Sequence, residues 1–88
     1  MNTLGICYFR ANKYSDAINA LEESVRLNDG QANPADAFFL AMANLRLDRT
    51  EQANLWHEQA LKAMNEEQYS DEFFLRTQEE AAQQFASP

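Results

Sequence analysis

The sequence is short of the residue types that cross-link a chain, bind metals or turn it sharply. Its 88 residues include one cysteine, one histidine, two glycines and two prolines. A single cysteine excludes an internal disulfide and any multi-cysteine metal site, and a single histidine excludes paired-histidine ligation. Sandwiches and barrels need many more turn residues than this chain has, so an all-β fold is disfavoured.

Positive charge is also scarce. The chain carries 7 Lys and Arg against 14 Asp and Glu, which gives a net charge of -7. Nucleic acid and anionic membrane surfaces are therefore poor partners, because both require a basic footprint. No apolar run approaches the ~20 residues of a membrane helix, and the N-terminus lacks a signal-peptide pattern. We expect no cofactor and a cytoplasmic location.

The remaining composition is that of one small helical domain. An apolar fraction of 45% and a charged fraction of 24% are ordinary for a folded protein. Ala, Leu, Glu, Gln and Asn dominate the sequence, and glycine and proline are rare, which favours helices over strands. We therefore predict an all-α fold.

One helical unit occurs twice, at an offset of 36 residues. Strict identities are few, but sizes and polarities match at paired positions: Leu4 with Leu40, Gly5 with Ala41, Arg10 with Arg46, Asn12 with Asp48, Ala17 with Ala53 and Ser24 with Ala60. Self-similarity at a fixed period is the signature of repeat architectures. We interpret the pattern as an internal duplication of one supersecondary unit.

Each unit is predicted to be a helix–turn–helix. Apolar residues within 14–25 recur at i, i+3, i+4 and i+7, which indicates an amphipathic helix. Asn12 and Asp48 fall at the break inside each unit, where a left-handed residue ends a helix. Gly30 is predicted to end the first unit, and Pro34 suits the first turn of the next helix.

Two further helices complete the prediction. The third, 37–45, is apolar nearly all round, so we expect it to be central and covered on most sides. A fifth helix is predicted from Ser70, with a thin apolar face and a very polar one, as a terminal capping helix needs. We expect it to cover Leu55 and Trp56.

The motifs resemble the tetratricopeptide repeat, whose signature is Trp-x2-Leu-Gly-x2-Tyr, then Ala-x3-Phe and a small residue. The matching segments are Leu4-Gly5-x2-Tyr8 with Ala17-x3-Leu21 in the first unit, and Leu40-Ala41-x2-Asn44 with Ala53-x3-His57 in the second. The second unit is also similar to repeat blocks of large bacterial multi-repeat proteins and kinase-linked regions.

The resemblance implies antiparallel helix–turn–helix repeats that form part of an α-solenoid. Its two units are expected over 1–29 and 34–66, with a capping helix over 70–86. The three together form one domain, which we expect to be a fragment of a longer protein.

In this family the first helix of each repeat lines a concave groove, so the resemblance implies a scaffold that binds a protein or peptide. The positions carried over are Asn2, Ile6, Phe9 and Arg10 from the first unit, and Phe38, Met42, Leu45 and Arg46 from the second. Two alternatives stay open. One is self-association or structural stacking, as a homodimer through the first helix, Phe38 and Met42. The other is a regulatory appendage of a bacterial serine/threonine kinase.

Candidate catalytic groups are few, and none forms a pattern that indicates an enzyme. Adjacent acids such as Glu22 and Glu23 point about 100° apart on a helix, so they do not converge on a substrate. Cys7 has no base at helical spacing and is expected to be a small buried residue. His57 occupies a core position and is expected to be packed or half-buried. We predict neither a catalytic nor a metal site.

Overall fold

The computed structural model describes residues 3–28, 30, 34–67 and 72–86. These residues form five helices: α1 Thr3–Arg10, α2 Tyr14–Leu27, α3 Pro34–Arg46, α4 Thr50–Glu67 and α5 Glu72–Ala86. The described ranges contain no strand, which confirms the predicted all-α class. Ser70, the predicted start of the last helix, lies outside them, and the limits 1–29, 34–66 and 70–86 stay a prediction.

The turn inside each helix pair uses the same left-handed residue. Asn12 has φ 63° and Asp48 has φ 60°, as the sequence predicts. This conformation costs least for Gly, Asn and Asp, and it releases the chain from the helix. The same hydrogen bond closes both turns: Lys13 N donates to Tyr8 O at 2.9 Å, and Arg49 N donates to Asn44 O at 2.9 Å.

Gly30 ends the first helix pair, as predicted. Its φ is 81°, and its amide donates to the carbonyl oxygen of Val25 at 2.9 Å. A Cβ at this position would meet nothing within 4 Å, so the backbone conformation, not lack of space, is what favours glycine here. α3 begins four residues later at Pro34.

α3 is the central helix. Every residue over 34–44 is buried, and α3 contacts each of the other four helices. The apolar residues of α2 are buried as predicted, namely Ala17, Ile18, Leu21 and Val25. Gly5 lets α1 approach α2 closely, because glycine has no Cβ. A Cβ at this position would lie 2.5 Å from Leu21 Cγ, so only glycine fits without a shift.

α5 leaves exposed one of the two residues that the sequence assigns to it. Leu55 is 51% exposed, so the predicted contact is wrong for this residue, while Trp56 is partly buried against the core. α5 packs mainly on α3 instead. The physical reason is that α3 is apolar on all sides, and α5 occupies a side that the first two helices and α4 leave uncovered.

Candidate functional site

A cation is held over an aromatic pair where α1 and α3 meet. Arg10 lies in the last turn of α1, and its guanidinium carbon is 5.7 Å from the ring centroid of Phe9 and 5.4 Å from that of Phe39. The two rings pack edge to face, with centroids 5.3 Å apart. A guanidinium within about 6 Å of a ring centroid is attracted by the ring quadrupole. The aromatic pair therefore positions the Arg10 fork.

The fork of Arg10 binds a carboxylate of α5. Arg10 Nη1 donates to Glu80 Oε2 at 2.6 Å, and Nη2 donates to Glu80 Oε1 at 2.9 Å. This bidentate hydrogen bonding raises the pKa of Arg10 above its ordinary value. The two side chains remain 56% and 30% exposed. Solvent screening limits the stabilisation from such a pair to about 0.2–1 kcal/mol. Its main effect is therefore specificity, because the bidentate fork fits the planar shape of a carboxylate.

A pocket of about 250 Å³ opens beside this ion pair. Its lining comes from three helices: Ile6 and Arg10 of α1, Phe39 of α3, and Arg76, Thr77 and Glu80 of α5. Thr77 and Ala81 are buried on the α5 side. We call the surface formed by Ile6, Arg10 and Phe39, on which α5 lies, the α1–α3 face.

The C-terminal end of α5 lies against α4. The ring of Phe85 stacks on His57 with centroids 4.3 Å apart and an interplanar angle of 9°, and Phe38 contacts the same imidazole edge-on at 6.0 Å. This burial lowers the pKa of His57, an effect that the charge of Glu58 opposes. The imidazole is half-buried, as the sequence predicts, and is surrounded by rings.

The structure places the predicted groove residues in two different environments. Ile6 and Leu45 are partly exposed, and Arg10 and Arg46 are exposed. Phe9, Phe38 and Met42 are buried, which corrects the expectation that they line an open surface. The reason is that α3 is enclosed by the other four helices. Phe38 and Met42 are therefore not on the surface of the single chain, and Asn2 lies outside the described residues.

Sequence reasoning misses three of the residues that line the pocket beside the Arg10–Glu80 ion pair. Phe39 lies in the apolar run of the third helix but is not among the groove positions that the resemblance implies. Glu80 belongs to a polar run that the sequence predicts to be solvated, and Thr77 belongs to no apolar stripe. The only available signal is the opposite charge of Arg10 and Glu80. Opposite charge alone does not tell which acid of α5 pairs with Arg10, because the position of α5 is not part of the repeat pattern.

Cys7 is exposed, which corrects the expectation of a small buried residue. Its counterpart in the second unit, Ala43, is fully buried on the central helix, whereas the Cys7 side of α1 is covered by no described helix. Among the described residues no group of three His, Cys, Asp or Glu side chains could hold a metal ion. No helix in these ranges is long and apolar enough to cross a membrane.

A second surface lies at the outer edge of the first helix pair. A shallow pocket of about 350 Å³ is lined there by Leu4, Ala20, Glu23, Ser24, Leu27 and Asn28, which we call the α1–α2 edge. Leu4 is 58% exposed and Leu27 is 73% exposed. In the second pair the counterparts of Leu4 and Ser24 are Leu40 and Ala60, and both are fully buried. The exposed edge thus corresponds to a surface that is covered in the second unit.

Comparison with known proteins agrees with this geometry. Residues 1–30 match the family model of the tetratricopeptide repeat. The match covers α1, α2 and Gly30, and it confirms the resemblance found in the sequence. No curated protein and no solved structure matches the chain.

Proposed function

We propose, from the tetratricopeptide repeat that this chain carries over residues 1–30, that it is a protein-binding scaffold. Repeats of this family suggest a protein–protein interaction module. The surface that we assign to binding is the α1–α3 face, extended along α3 by Leu45 and Arg46. The ligand is a peptide or helix of a partner protein.

One observation supports this surface above the others. Arg10 is held over Phe9 and Phe39, with its fork directed at a carboxylate beside the pocket that Ile6 lines. Such a cation loses little conformational freedom when a ligand binds, because its rings already position it. Aromatic residues and arginine are also the residue types that carry most binding energy at protein interfaces.

The proposed function includes no catalysis. His57 is partly buried between the rings of Phe38 and Phe85, and this burial lowers its pKa. Cys7 is exposed on α1. Neither residue lines the α1–α3 face, so neither would touch a ligand bound there.

The test is selection of binding peptides from a displayed random library against the full chain. Peptides that bind the α1–α3 face should lose at least tenfold in affinity when Ile6→Glu is introduced, because a charge replaces the apolar wall of the pocket. Leu27→Glu is the matched control, since it places the same charge on the α1–α2 edge. Melting curves of both variants establish that each is folded.

The opposite result would move the binding site. Peptides that tolerate Ile6→Glu but lose affinity with Leu27→Glu would bind the α1–α2 edge, and the proposed surface would be wrong. Failure to enrich any peptide in repeated selections would count against the binding scaffold as a whole.

Self-association is the second candidate, and the α1–α2 edge favours it. Exposed apolar patches mark interaction sites, and Leu4 and Leu27 flank the pocket there. A homodimer through this edge would be strengthened by added salt, because the charge of -7 on each chain is screened. Sedimentation should then show a salt-dependent dimer that Leu27→Glu abolishes, and a monomer under all conditions would contradict it. Regulation of a linked serine/threonine kinase stays a hypothesis.

A further inference from the structure

We infer that α5 is an internal ligand of the α1–α3 face, and that a partner of this face is an acidic amphipathic helix that competes with α5 for Arg10. The inference rests on the proposed function, because it names the chemistry of the ligand for the same surface. It also adds a property of the chain itself, namely that the surface is occupied before a partner arrives.

The packing of α5 differs from that of the helix that begins the second unit. α3 packs more extensively on α2, the second helix of the unit before it, than on α1. A helix that continued the array would likewise pack more on α4 than on α3. α5 packs mainly on α3 and reaches α1 through Glu80, so it lies across the first helices of both units. This is the position of a bound helix and not of a third unit.

The contacts of α5 define what the face accepts. Thr77, Glu80 and Ala81 lie at i, i+3 and i+4, so they share one side of the helix. The two small residues are buried, which lets the α5 backbone approach the surface, and the glutamate reaches Arg10. Phe85, one turn beyond Ala81, stacks on His57. The pattern is a small residue, then Glu and a small residue, then an aromatic residue.

The same contacts make α5 exchangeable. Its ion pair with Arg10 is partly solvated, its anchors Thr77 and Ala81 are small, and it leaves a pocket of about 250 Å³ beside Ile6. Such contacts give a weak intermolecular complex. α5 holds the face because it belongs to the same chain, where effective concentrations reach the order of millimolar. A partner helix that also filled the pocket would have the additional contact needed to displace it.

The experiment uses the full chain and a fluorescein-labelled synthetic peptide with the sequence of Glu72–Ala86. Fluorescence anisotropy measures peptide binding to the wild-type chain and to the Ala81→Arg variant, in which a long charged side chain expels α5 from the face. We expect the variant to bind the peptide at least tenfold more tightly than the wild-type chain, because its face is vacant. Equal binding by the two chains would overturn the inference.

Charge reversal supplies a test that does not depend on the Ala81→Arg variant being folded. In the wild-type chain Glu80→Arg places like charges at the anchor and should open the face to the peptide. Glu79→Arg is the matched control, since it makes the same change on the exposed side of α5. A peptide carrying Glu80→Arg should bind only a chain carrying Arg10→Glu. Equal effects of Glu79→Arg and Glu80→Arg would show that overall charge, and not this contact, governs binding.

The outcomes separate this inference from the proposed function. If library peptides bind the wild-type and Ala81→Arg chains equally well, the binding scaffold stands and the competition by α5 is wrong. If the peptide with the sequence of Glu72–Ala86 binds the opened chain but no library peptide does, α5 is a structural element of this face. The proposed function would then fail while the assignment of α5 to Arg10 survived.

Discussion

The second helices of the two units, α2 and α4, differ in how completely three equivalent positions are buried. On α2, Ile18, Leu21 and Val25 are all buried, and α2 packs on both α1 and α3. At an offset of 36 the counterparts on α4 are Asn54, His57 and Leu61. Asn54 and Leu61 are exposed, and His57 is half-buried under Phe85.

This difference follows from which helices pack on each second helix. The first unit is completed by α3, and its α2 can therefore carry three branched apolar residues in a row along one side. Among the described helices none that follows α4 packs on it as α3 packs on α2, because α5 packs mainly on α3. Polar residues at positions 54 and 57 suit a side that solvent reaches.

The largest expected effect comes from truncating the same position in both units. Leu21→Ala removes a fully buried side chain that packs against Gly5, and we expect it to lower the free energy of unfolding by about 2–5 kcal/mol. His57→Ala truncates a half-buried ring and should cost about 1 kcal/mol. Urea titration of both variants measures the difference. Similar losses would mean that α4 is as completely covered as α2.

The second prediction concerns the positions where the two units are alike. Ala17 and Ala53 are both fully buried, and a closely packed interior leaves little space for a longer side chain. Replacing either with leucine should cost about 1–3 kcal/mol through overpacking. Gln52→Leu is the matched control, because it adds leucine at the exposed neighbour of Ala53. A melting temperature unchanged by Ala53→Leu would contradict the proposed equivalence of the units.

The repeated features of the fold are predictable from the sequence because each is encoded locally. Asn12 and Asp48 identify the turns through their tolerance of a left-handed backbone, and the apolar run of α3 identifies the central helix. The position of α5 is not encoded in this way. It depends on which apolar side of α3 remains uncovered after three helices pack, and the periodicity of α5 itself does not contain that information.

The same limit applies to the candidate site. Ile6 and Arg10 follow from the family pattern and remain accessible in the structure. Phe39 and Glu80 do not follow from it, because Phe39 gains its role from contact with Arg10 of α1 and Glu80 from the docking of α5. Cys7 and Leu55 are misjudged for a related reason. Apolar character in a short helix predicts that a neighbour exists, but not on which side it lies.

The third prediction uses a smaller difference between the two turns. Tyr14 Oη donates a hydrogen bond to Asn12 Oδ1 at 2.8 Å, whereas the position equivalent to Tyr14 in the second unit is Thr50. Glycine relieves the left-handed strain at either turn, but at position 12 it also removes that bond, which is worth about 0.5–1.5 kcal/mol. Asp48→Gly should therefore be the more favourable of the two substitutions in urea titrations. A reversed order would show that the tyrosine contact contributes nothing.

The smallest effect is expected from the protonation of His57. Its folded pKa is lowered because Phe38 and Phe85 bury the ring, while the unfolded chain titrates near the ordinary value of about 6.5. The stability that depends on the neutral ring is complete above that value and is lost as the pH falls from it towards the folded pKa. Between about pH 7.5 and 5.5 the melting temperature should fall more for the wild-type chain than for His57→Leu. Leucine is the matched replacement, because the counterpart of His57 in the first unit is the buried Leu21. A leucine at position 57 cannot titrate. Parallel falls in the two proteins would mean that other groups control the acid response, and the stacking of Phe85 on His57 would then have no part in it.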